Sequence, residues 1–230
     1  MPIRKQEISN RVFIGCPWKV IREKYVRVVT KLEHSFPIHF VLIGRESDQR
    51  AEELLTLIKT SLSSSTVAIF DATGGNANVS LEYGFADASN IDRIIYLNVH
   101  ENNHKTDRKD TAIIADLAGQ RRKQYKNEAS LMKLLSEFSR SHTFTHRFEA
   151  GFKKIVKNIK SRHLKKKYRT LSIKLFHLFD EKEIVRRGDL FEQLLSFDYS
   201  DSEIEFMIKG LKKVRLINVT SGRYADVSIA

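Results

Sequence analysis

The sequence predicts an α/β domain with a parallel sheet flanked by helices, followed by a smaller basic domain of helices and a β-hairpin. Two observations carry this prediction. Short, continuous apolar runs alternate with stretches of helical periodicity over the first hundred residues, which is typical of strands buried between layers of helices. From about Tyr168 the pattern changes to three short amphipathic stretches and a hairpin. We therefore expect domains at residues 1–150 and 170–230, joined by a basic helix or linker at 151–169.

The elements of the first domain follow one another along the chain. Each predicted strand is an apolar run, and each predicted helix repeats apolar side chains every three or four residues. Right-handed crossovers place such helices on both faces of a parallel sheet. A polar stretch at residues 100–110 predicts an exposed loop, with a lid over a site as the alternative. The predicted strands are residues 12–16, 38–43, 66–71 and 93–99, and the predicted helices are residues 18–33, 48–62, 79–88, 131–138 and 148–159.

The second domain has a different pattern of apolar residues. Apolar residues at helical spacing predict three short helices, centred on Leu175, Leu194 and Ile208. Two short apolar runs, at residues 216–219 and 224–229, flank a connection that contains glycine and predict a hairpin. Three helices closed by a hairpin are typical of a winged helix-turn-helix domain.

Positive charge is concentrated in the segment that joins the two predicted domains. The formal net charge of the chain is +12, and residues 151–170 hold nine Lys and Arg and no Asp or Glu. Such a block indicates a polyanionic partner, nucleic acid or nucleoprotein, although a solvated basic helix is the simpler alternative. The candidate nucleic-acid-binding residues are Lys160, Arg162, Lys165, Lys166, Lys167, Arg169, Lys212, Lys213 and Arg223.

The third helix of the second domain argues against simple reading of a DNA groove. It opens with Asp201, Glu203 and Glu205. Acidic side chains at the end that approaches phosphates would repel the backbone. We therefore expect sequence-tolerant contact with RNA or DNA, or docking to a nucleoprotein. A purely structural or dimerising domain is the alternative, and a homo-oligomer is possible.

Composition excludes several other classes. No stretch approaches the roughly 20 apolar residues that span a bilayer, so no membrane partner is expected. The first residues lack the apolar core of a signal peptide, and Cys16 is the only cysteine, so a cytoplasmic protein without disulfides is expected. The H-x-x-x-H spacing of His142 and His146 lacks the glutamate of a zinc-protease helix, and no metal site or cofactor is predicted.

The turn after the third strand combines residues that bind ligands. Asp71 ends the strand, and two glycines, Gly74 and Gly75, allow conformations and close approaches that other residues do not. Open α/β sheets bind ligands at this carboxyl edge. Asn78 is predicted to cap the following helix, which places Glu82 near its first turn. The alternative is a turn in which the amides only satisfy the backbone and the acid only favours the helix dipole.

The segment from residue 69 to residue 86, IFDATGGNANVSLEYGFA, resembles the signature of the nucleoside 2-deoxyribosyltransferase-like and Toll/interleukin-1 receptor-like (TIR-like) group. The opening run of residues 12–17, VFIGCP, is similar to the first strand of that group, and the likeness spans roughly residues 10–125. The resemblance implies a flavodoxin-like or TIR-like domain in which the glutamate acts on the sugar carbon of an N-glycosidic bond. It also implies a bacterial effector of phage defence. By architecture alone, the added winged helix resembles some retron-associated effectors.

Transferred to this chain, the resemblance assigns Glu82 to the anomeric carbon and Asp71 to protonation or orientation of the leaving base. A carboxylate can stabilise an oxocarbenium-like state or attack it covalently. NAD or a nucleotide would be the substrate, with no further cofactor. The candidate substrate-binding residues are Phe13, Gly15, Cys16, Trp18, Thr73, Gly74, Asn76 and Asn78. Cys16 is alternatively a thiol nucleophile or a small core residue.

One departure from the family pattern matters. The transferases carry an acid six residues before the glutamate, where this chain has Asn76, an amide that exchanges no proton. This favours hydrolysis of NAD or a nucleotide over base exchange. Two alternatives stay open: a non-catalytic nucleotide sensor coupled to a DNA-binding regulator, and a nucleic-acid-binding regulator whose α/β domain only oligomerises.

Overall fold

The computed structural model describes residues 8–19, 21–43, 51–103, 122–179, 184–220 and 225–230. The chain forms two compact units. The first comprises Met1–Leu32 and Phe40–Glu137, and the second comprises Glu33–His39 and Phe138–Ala230. Within the described residues, no helix combines the length and the apolarity needed to cross a membrane.

The first unit is an α/β structure around a five-stranded parallel sheet. The order of the strands is β2-β1-β3-β4-β5, so the chain reverses direction across the sheet after β2. The predicted strands of this region are present, whereas β5 was not predicted because only Tyr125 of its four residues is buried. The strands are β1 (Ile8–Gly15), β2 (His39–Val41), β3 (Ser65–Asp71), β4 (Asp92–Asn98) and β5 (Arg122–Tyr125).

Helices accompany these strands. The first buries Tyr25, Val28, Val29 and Leu32, a three-to-four-residue repeat that defines one apolar face. It begins at Arg22 rather than at Trp18, which lies in a turn. A short helix occupies the start of the predicted polar loop, and the remainder of that loop, residues 104–110, lies outside the described residues. The helices are α1 (Arg22–Glu33), α2 (Ala51–Ser63), α3 (Ala77–Ala88) and α4 (Val99–Asn103).

Strand register brings the ends of three strands to one edge. Gly15 at the end of β1 pairs with Phe70, and Asp71 at the end of β3 pairs with Tyr96 of β4. Beneath this edge, the Phe13 and Phe70 rings lie 6.0 Å apart within a buried apolar cluster. The packed core therefore fixes the position at which Gly15, Asp71 and the turn after β3 emerge.

The second unit contains four complete helices among the described residues and a three-stranded antiparallel sheet of order β6-β8-β7. Phe144, Phe148 and Phe176 form its aromatic core, with ring centroids 5.1 Å and 5.8 Å apart. The sheet consists of β6 (Ile184–Arg186), β7 (Ile217–Val219) and β8 (Asp226–Ile229). The helices are α6 (Thr143–Ile155), α7 (Arg162–His177), α8 (Arg187–Leu195) and α9 (Asp201–Lys213), and α5 (Glu128–Ser141) precedes them.

The three helices and the closing strands predicted for the C-terminal region are present, and β6 is an addition. The name winged helix stays a prediction at this point. The predicted segments 1–150, 151–169 and 170–230 also stay a prediction; their boundaries lie inside α6 and α7.

Candidate functional site

The turn between β3 and α3 is built on two glycines with left-handed backbones. Gly74 has φ 71° and Gly75 has φ 58°, a region that side chains with a Cβ rarely adopt. The amide of Gly75 donates to the carbonyl of Ala72 at 3.2 Å and closes the turn. The predicted need for glycine at these positions is therefore confirmed, and the turn delivers the chain to Asn76.

Asn76, and not Asn78, caps helix α3. Its Oδ1 accepts hydrogen bonds from the amides of Asn78 (3.0 Å) and Val79 (3.2 Å). The prediction that Asn78 is the cap is wrong, because the turn ends two residues earlier and leaves the Asn78 side chain exposed. The side-chain carbonyl of Asn76 accepts the hydrogen bonds of the helix cap, so its side-chain nitrogen, Nδ2, is the group that remains for a ligand.

Glu82 lies deeper in the helix than predicted. With Asn76 as the cap, Glu82 is the sixth residue of α3 and belongs to the second turn; the first turn contains no acid. The helix dipole acts mainly on the first turn, so it does not explain why this residue is acidic. The explanation of Glu82 as a dipole-favoured acid is accordingly weakened.

One oxygen of the Glu82 carboxylate, Oε2, is buried without a hydrogen-bond partner among the described residues, whereas the residue as a whole is half-buried. Among the described residues, none donates to its Oε2, which is withdrawn from solvent. A Cβ placed on Gly15 would collide with this same oxygen, which shows how closely the backbone of β1 approaches it. Burial raises the pKa of Glu82 to about 7. At neutral pH this group is therefore divided between its acid and its carboxylate forms.

Asp71 is held in a buried hydrogen-bond network. Its Oδ2 accepts from the hydroxyls of Tyr25 (2.8 Å) and Tyr125 (2.7 Å), and its Oδ1 accepts from the amide and the hydroxyl of Thr73. The side chain has no exposed surface, and burial raises its pKa although these hydrogen bonds act in the opposite direction. The network fixes the end of β3 against α1 and β5.

Thr73 connects this network to the next strand. Its hydroxyl accepts a hydrogen bond from the amide of Asn98 at 2.9 Å. The side-chain oxygen of Asn98 in turn accepts from the amides of His100 (3.0 Å) and Glu101 (3.1 Å) and caps α4. Thr73, predicted as a substrate-binding residue, is buried in this arrangement. A ligand role for it stays a prediction.

Three predicted substrate-binding residues, one in β1 and two that follow it, occupy different environments. Phe13 packs in the core, Cys16 is buried, and Trp18 is half exposed. Burial raises the pKa of the Cys16 thiol far above its usual range, and the charges of Asp71 and Glu82 raise it further. A thiolate is disfavoured there, so the structure supports Cys16 as a core residue next to both carboxyl groups. Contact of these three residues with a base stays a prediction.

Arg22 was missed by the sequence analysis. Its Nε and Nη2 are buried and have no hydrogen-bond partner among the described residues, and its guanidinium lies 5.7 Å from the centre of the Trp18 ring. Its charge lowers the pKa of Cys16, which both carboxylates raise. The predicted helix begins at residue 18, and only the observed start of α1 puts this cation where it opposes the helix dipole and needs an anion or another polar acceptor. Arg22 is the first residue of α1.

The candidate nucleic-acid-binding residues fall into two groups. Lys160, Arg162, Lys166, Lys212 and Lys213 are exposed, and Lys165 is half-buried. Lys167 and Arg169 are instead committed to ion pairs within the unit. Lys167 contacts Glu203 at 2.5 Å, and Arg169 makes two bonds to Glu149, of 2.6 Å and 2.9 Å. Arg223 lies outside the described residues.

The acids at the start of α9 have a structural role. Ser200 and Glu203 form a capping box, in which each side chain accepts from the backbone amide of the other. Glu203 also pairs with Lys167, and Glu205 pairs with Arg187. These carboxylates therefore neutralise neighbouring cations and do not form an isolated acidic patch.

Comparisons with known proteins return distant likenesses. No family model and no curated protein matches the chain. Among solved structures, the CMP N-glycosidase BcmB of Clostridium botulinum is similar with a TM-score of 0.38 and 14% identity, over 56% of this chain and 98% of that one. A structure of Drosophila ORC bound to AT-rich DNA and Cdc6 is similar with a TM-score of 0.27 and 10% identity. The match covers 96% of this chain and 81% of that one. At these TM-scores neither likeness carries an argument.

Proposed function

We propose that the first unit cleaves the N-glycosidic bond of NAD or a nucleotide, with Glu82 acting at the anomeric carbon of the sugar. The observation that carries this proposal is the Oε2 of Glu82, buried against Gly15 without a hydrogen-bond partner among the described residues. A buried carboxylate oxygen without a donor is costly for folding, and its position at a sheet's ligand edge favours a functional role.

The reaction follows from the chemistry of this group. The bond from C1′ to the base nitrogen breaks, its electron pair leaves with the base, and positive charge develops on the sugar. The ionised Glu82 stabilises this charge or attacks C1′, and water then supplies the new C1′ oxygen and the proton that the base acquires. Because Glu82 has a pKa of about 7, activity should rise as the pH increases through neutrality.

The other residues of the site act around Glu82. Asp71 is buried and engaged by Tyr25, Tyr125 and Thr73, so we assign it to positioning the turn that holds the substrate. The amide nitrogen of Asn76 and the backbone of Gly74 would bind sugar hydroxyls or phosphate oxygens. Arg22, stacked beside Trp18, would bind an anionic or carbonyl oxygen of the substrate.

Hydrolysis is preferred over base transfer because of Asn76. Its side-chain carbonyl caps α3, and an amide exchanges no proton at any accessible pH. The nucleoside 2-deoxyribosyltransferase-like and TIR-like resemblance supports action on an N-glycosidic bond. A role in bacterial defence rests on that resemblance alone.

For the second unit we infer a winged helix that docks to nucleic acid or a nucleoprotein and regulates the first unit. Its support is the order α7, β6, α8, α9, β7, β8, in which three helices alternate with a three-stranded antiparallel sheet. The exposed cations at Lys160, Arg162, Lys166, Lys212 and Lys213 would supply sequence-tolerant phosphate contacts.

The deciding experiment is release of free base, measured by chromatography. NAD and a panel of nucleotides are incubated with the full chain, with and without added DNA or RNA, beside Glu82→Gln and an Asp92→Asn control on the exposed start of β4. We expect release by the wild type and the control and loss of release in Glu82→Gln. Equal release by all three proteins, or no release under every condition, contradicts the proposal.

A nucleotide sensor is the second candidate. The engagement of Asp71 favours it, because that carboxyl group has no exposed surface from which to donate a proton to a base. The sensor predicts reversible nucleotide binding, seen by calorimetry, with the nucleotide recovered intact. Binding that persists in Glu82→Gln, together with no release by the wild type, would establish it over hydrolysis.

A further inference from the structure

Three potential metal ligands from distant parts of the sequence meet in the second unit. Glu33 ends α1, His39 begins β2, and His177 ends α7. One ligand atom from each of these residues lies within 4.8 Å of those from the other two. All three side chains are half-buried, so an ion can reach them from solvent and is partly enclosed once it is bound.

The distance between the first two ligands fits a tetrahedral ion. The Nδ1 of His39 is 3.5 Å from the Oε1 of Glu33. Two ligands bound to zinc at about 2.0–2.1 Å and at the tetrahedral angle are separated by roughly 3.3 Å. An ion could therefore replace the direct contact between this pair with a shift of only a few tenths of an ångström.

The orientation of His177 is fixed by a backbone carbonyl. Its Nε2 lies 3.0 Å from the oxygen of Phe36, and because a carbonyl only accepts, this nitrogen carries the proton. In the neutral ring the lone pair is then on Nδ1. Metal-binding histidines are commonly held in this way, with the second ring nitrogen donating to a carbonyl or a carboxylate. The His177 ring is 6.2 Å from that of His39.

We propose that Glu33, His39 and His177 bind one Zn²⁺ ion. Imidazole and carboxylate ligands suit zinc, and three protein ligands leave a fourth position for water. The ion would tie residues 33–39 to the end of α7 within the second unit. It is independent of the chemistry at Glu82, since these residues take no part in that site.

The sequence conceals this site. The pair with metal-like spacing, His142 and His146, is a false lead: the Nδ1 of His142 accepts from the amide of Phe144 at 3.2 Å and caps α6. Burial also lowers the pKa of His142 to about 4. His146 is exposed on the same helix and makes a matched control.

The test is zinc binding by the full chain after removal of metal with a chelator. Calorimetry and competition with a chromophoric chelator give the stoichiometry and the affinity, and Co²⁺ gives a visible spectrum that reports tetrahedral coordination. We expect one ion per chain and a rise in the unfolding temperature on adding Zn²⁺. His39→Ala and His177→Ala should weaken binding by about tenfold or more, as even the partners that only orient ligands are worth that much.

Controls separate a metal site from an ordinary ion pair. His146→Ala should bind zinc like the wild type, and Glu33→Gln, which preserves the size of the side chain, should bind it more weakly. Circular dichroism checks the folding of each variant, and Glu33→Gln decides the question if a histidine variant does not fold. Absence of stoichiometric binding by the wild type overturns the proposal. So does an affinity for zinc in Glu33→Gln and the folded histidine variants that equals that of the wild type.

Discussion

The backbone of Gly15 lies directly against the carboxylate of Glu82. A Cβ on residue 15 would overlap with Oε2 of Glu82 and come within 2.8 Å of Cδ1 of Phe70. The end of β1 therefore forms one wall of the proposed catalytic site, and any side chain larger than that of glycine must displace either the acid or the core.

Gly15→Ala should lower the rate of base release strongly and destabilise the first unit by about 1–3 kcal/mol, the usual cost of overpacking a core. The acid is the softer neighbour, so its displacement affects activity more than folding. Rates from chromatography and urea unfolding followed by the fluorescence of Trp18, the only tryptophan, give both quantities.

Gly84→Ala is the matched control. A Cβ on Gly84 meets nothing within 4 Å, and the residue lies on the exposed side of α3. Alanine should therefore preserve activity and stabilise the helix by up to about 1 kcal/mol. A Gly15→Ala protein as active and as stable as Gly84→Ala would show that the close approach is unimportant.

The buried carboxyl of Glu82 should make stability depend on pH. Its pKa is about 7 in the folded state against 4.5 for an unburied glutamate. Between these values the folded state retains a proton that the unfolded state has released, so wild-type stability falls as the pH rises. Glu82→Gln removes this loss, and its advantage over the wild type should grow from pH 4.5 to 7 and then level off.

The size of this change follows from the shift of the pKa. A difference of one in pKa between the folded and unfolded states corresponds to about 1.4 kcal/mol. The free energy of unfolding of Glu82→Gln should therefore exceed that of the wild type by ~3 kcal/mol above pH 7. Urea midpoints at closely spaced pH values measure it. Asp92→Asn, at an exposed position, should show no such trend. A difference between wild type and Glu82→Gln that stays constant over this range would mean that Glu82 is ionised normally.

The two tyrosine hydroxyls that share Oδ2 of Asp71 should be energetically coupled. Tyr25→Phe and Tyr125→Phe should each cost about 1–3 kcal/mol, because a hydrogen bond to a buried acceptor is lost while the other remains. The double variant leaves Oδ2 with neither donor and should cost more than the sum. A double-mutant cycle by urea unfolding tests this, and additivity within about 0.5 kcal/mol would argue against coupling.

Arg22→Gln should weaken binding of the nucleotide by about tenfold, because a charge-assisted contact to the ligand is lost. The effect should appear in KM, or in the Kd measured with inactive Glu82→Gln protein. Arg27→Gln is the control, since Arg27 lies on the same helix and pairs with Glu128 at an exposed position. Equal weakening in the two variants would remove Arg22 from the site.

The exposed and the paired cations of α7 should differ in nucleic-acid binding. Arg162→Gln together with Lys166→Gln, both exposed, should lower the slope of log K against log salt concentration by roughly 1.5, about 0.7–0.9 for each phosphate contact. Lys167→Gln should leave it nearly unchanged, because Lys167 is paired with Glu203. Binding measured by fluorescence anisotropy at several salt concentrations tests this. An equal effect of the single and the double replacement would contradict the division.

The elements of the first unit were predictable where burial dictated the residue type. Strands β1, β3 and β4 are continuous apolar runs, so their pattern is unambiguous. Strand β5, with the sequence RKQY, has no such pattern, because only Tyr125 points into the core. Its inclusion depends on pairing with β4, which is a tertiary contact.

The candidate site was predictable as a place and less so in its details. Glycines and amides after a buried strand identified the turn, but which asparagine caps α3 depends on where the turn ends. The anchoring of Asp71 by Tyr25 and Tyr125 joins residues 46 and 54 positions away, a distance that local patterns do not cross. Arg22 could not be singled out, because the predicted helix begins four residues earlier and the observed start at Arg22 is what makes a cation there unusual.

The position of Glu82 in the second turn of α3 makes the spacing itself a constraint. Each residue of an α-helix advances the direction of a side chain by about 100°, so inserting or deleting one residue between Asn76 and Glu82 would turn the acid away from Gly15. Substitutions in this interval should be far better tolerated than changes in its length. Distant relatives with the same chemistry should therefore keep the number of residues between this asparagine and this glutamate, while the residue types between them vary.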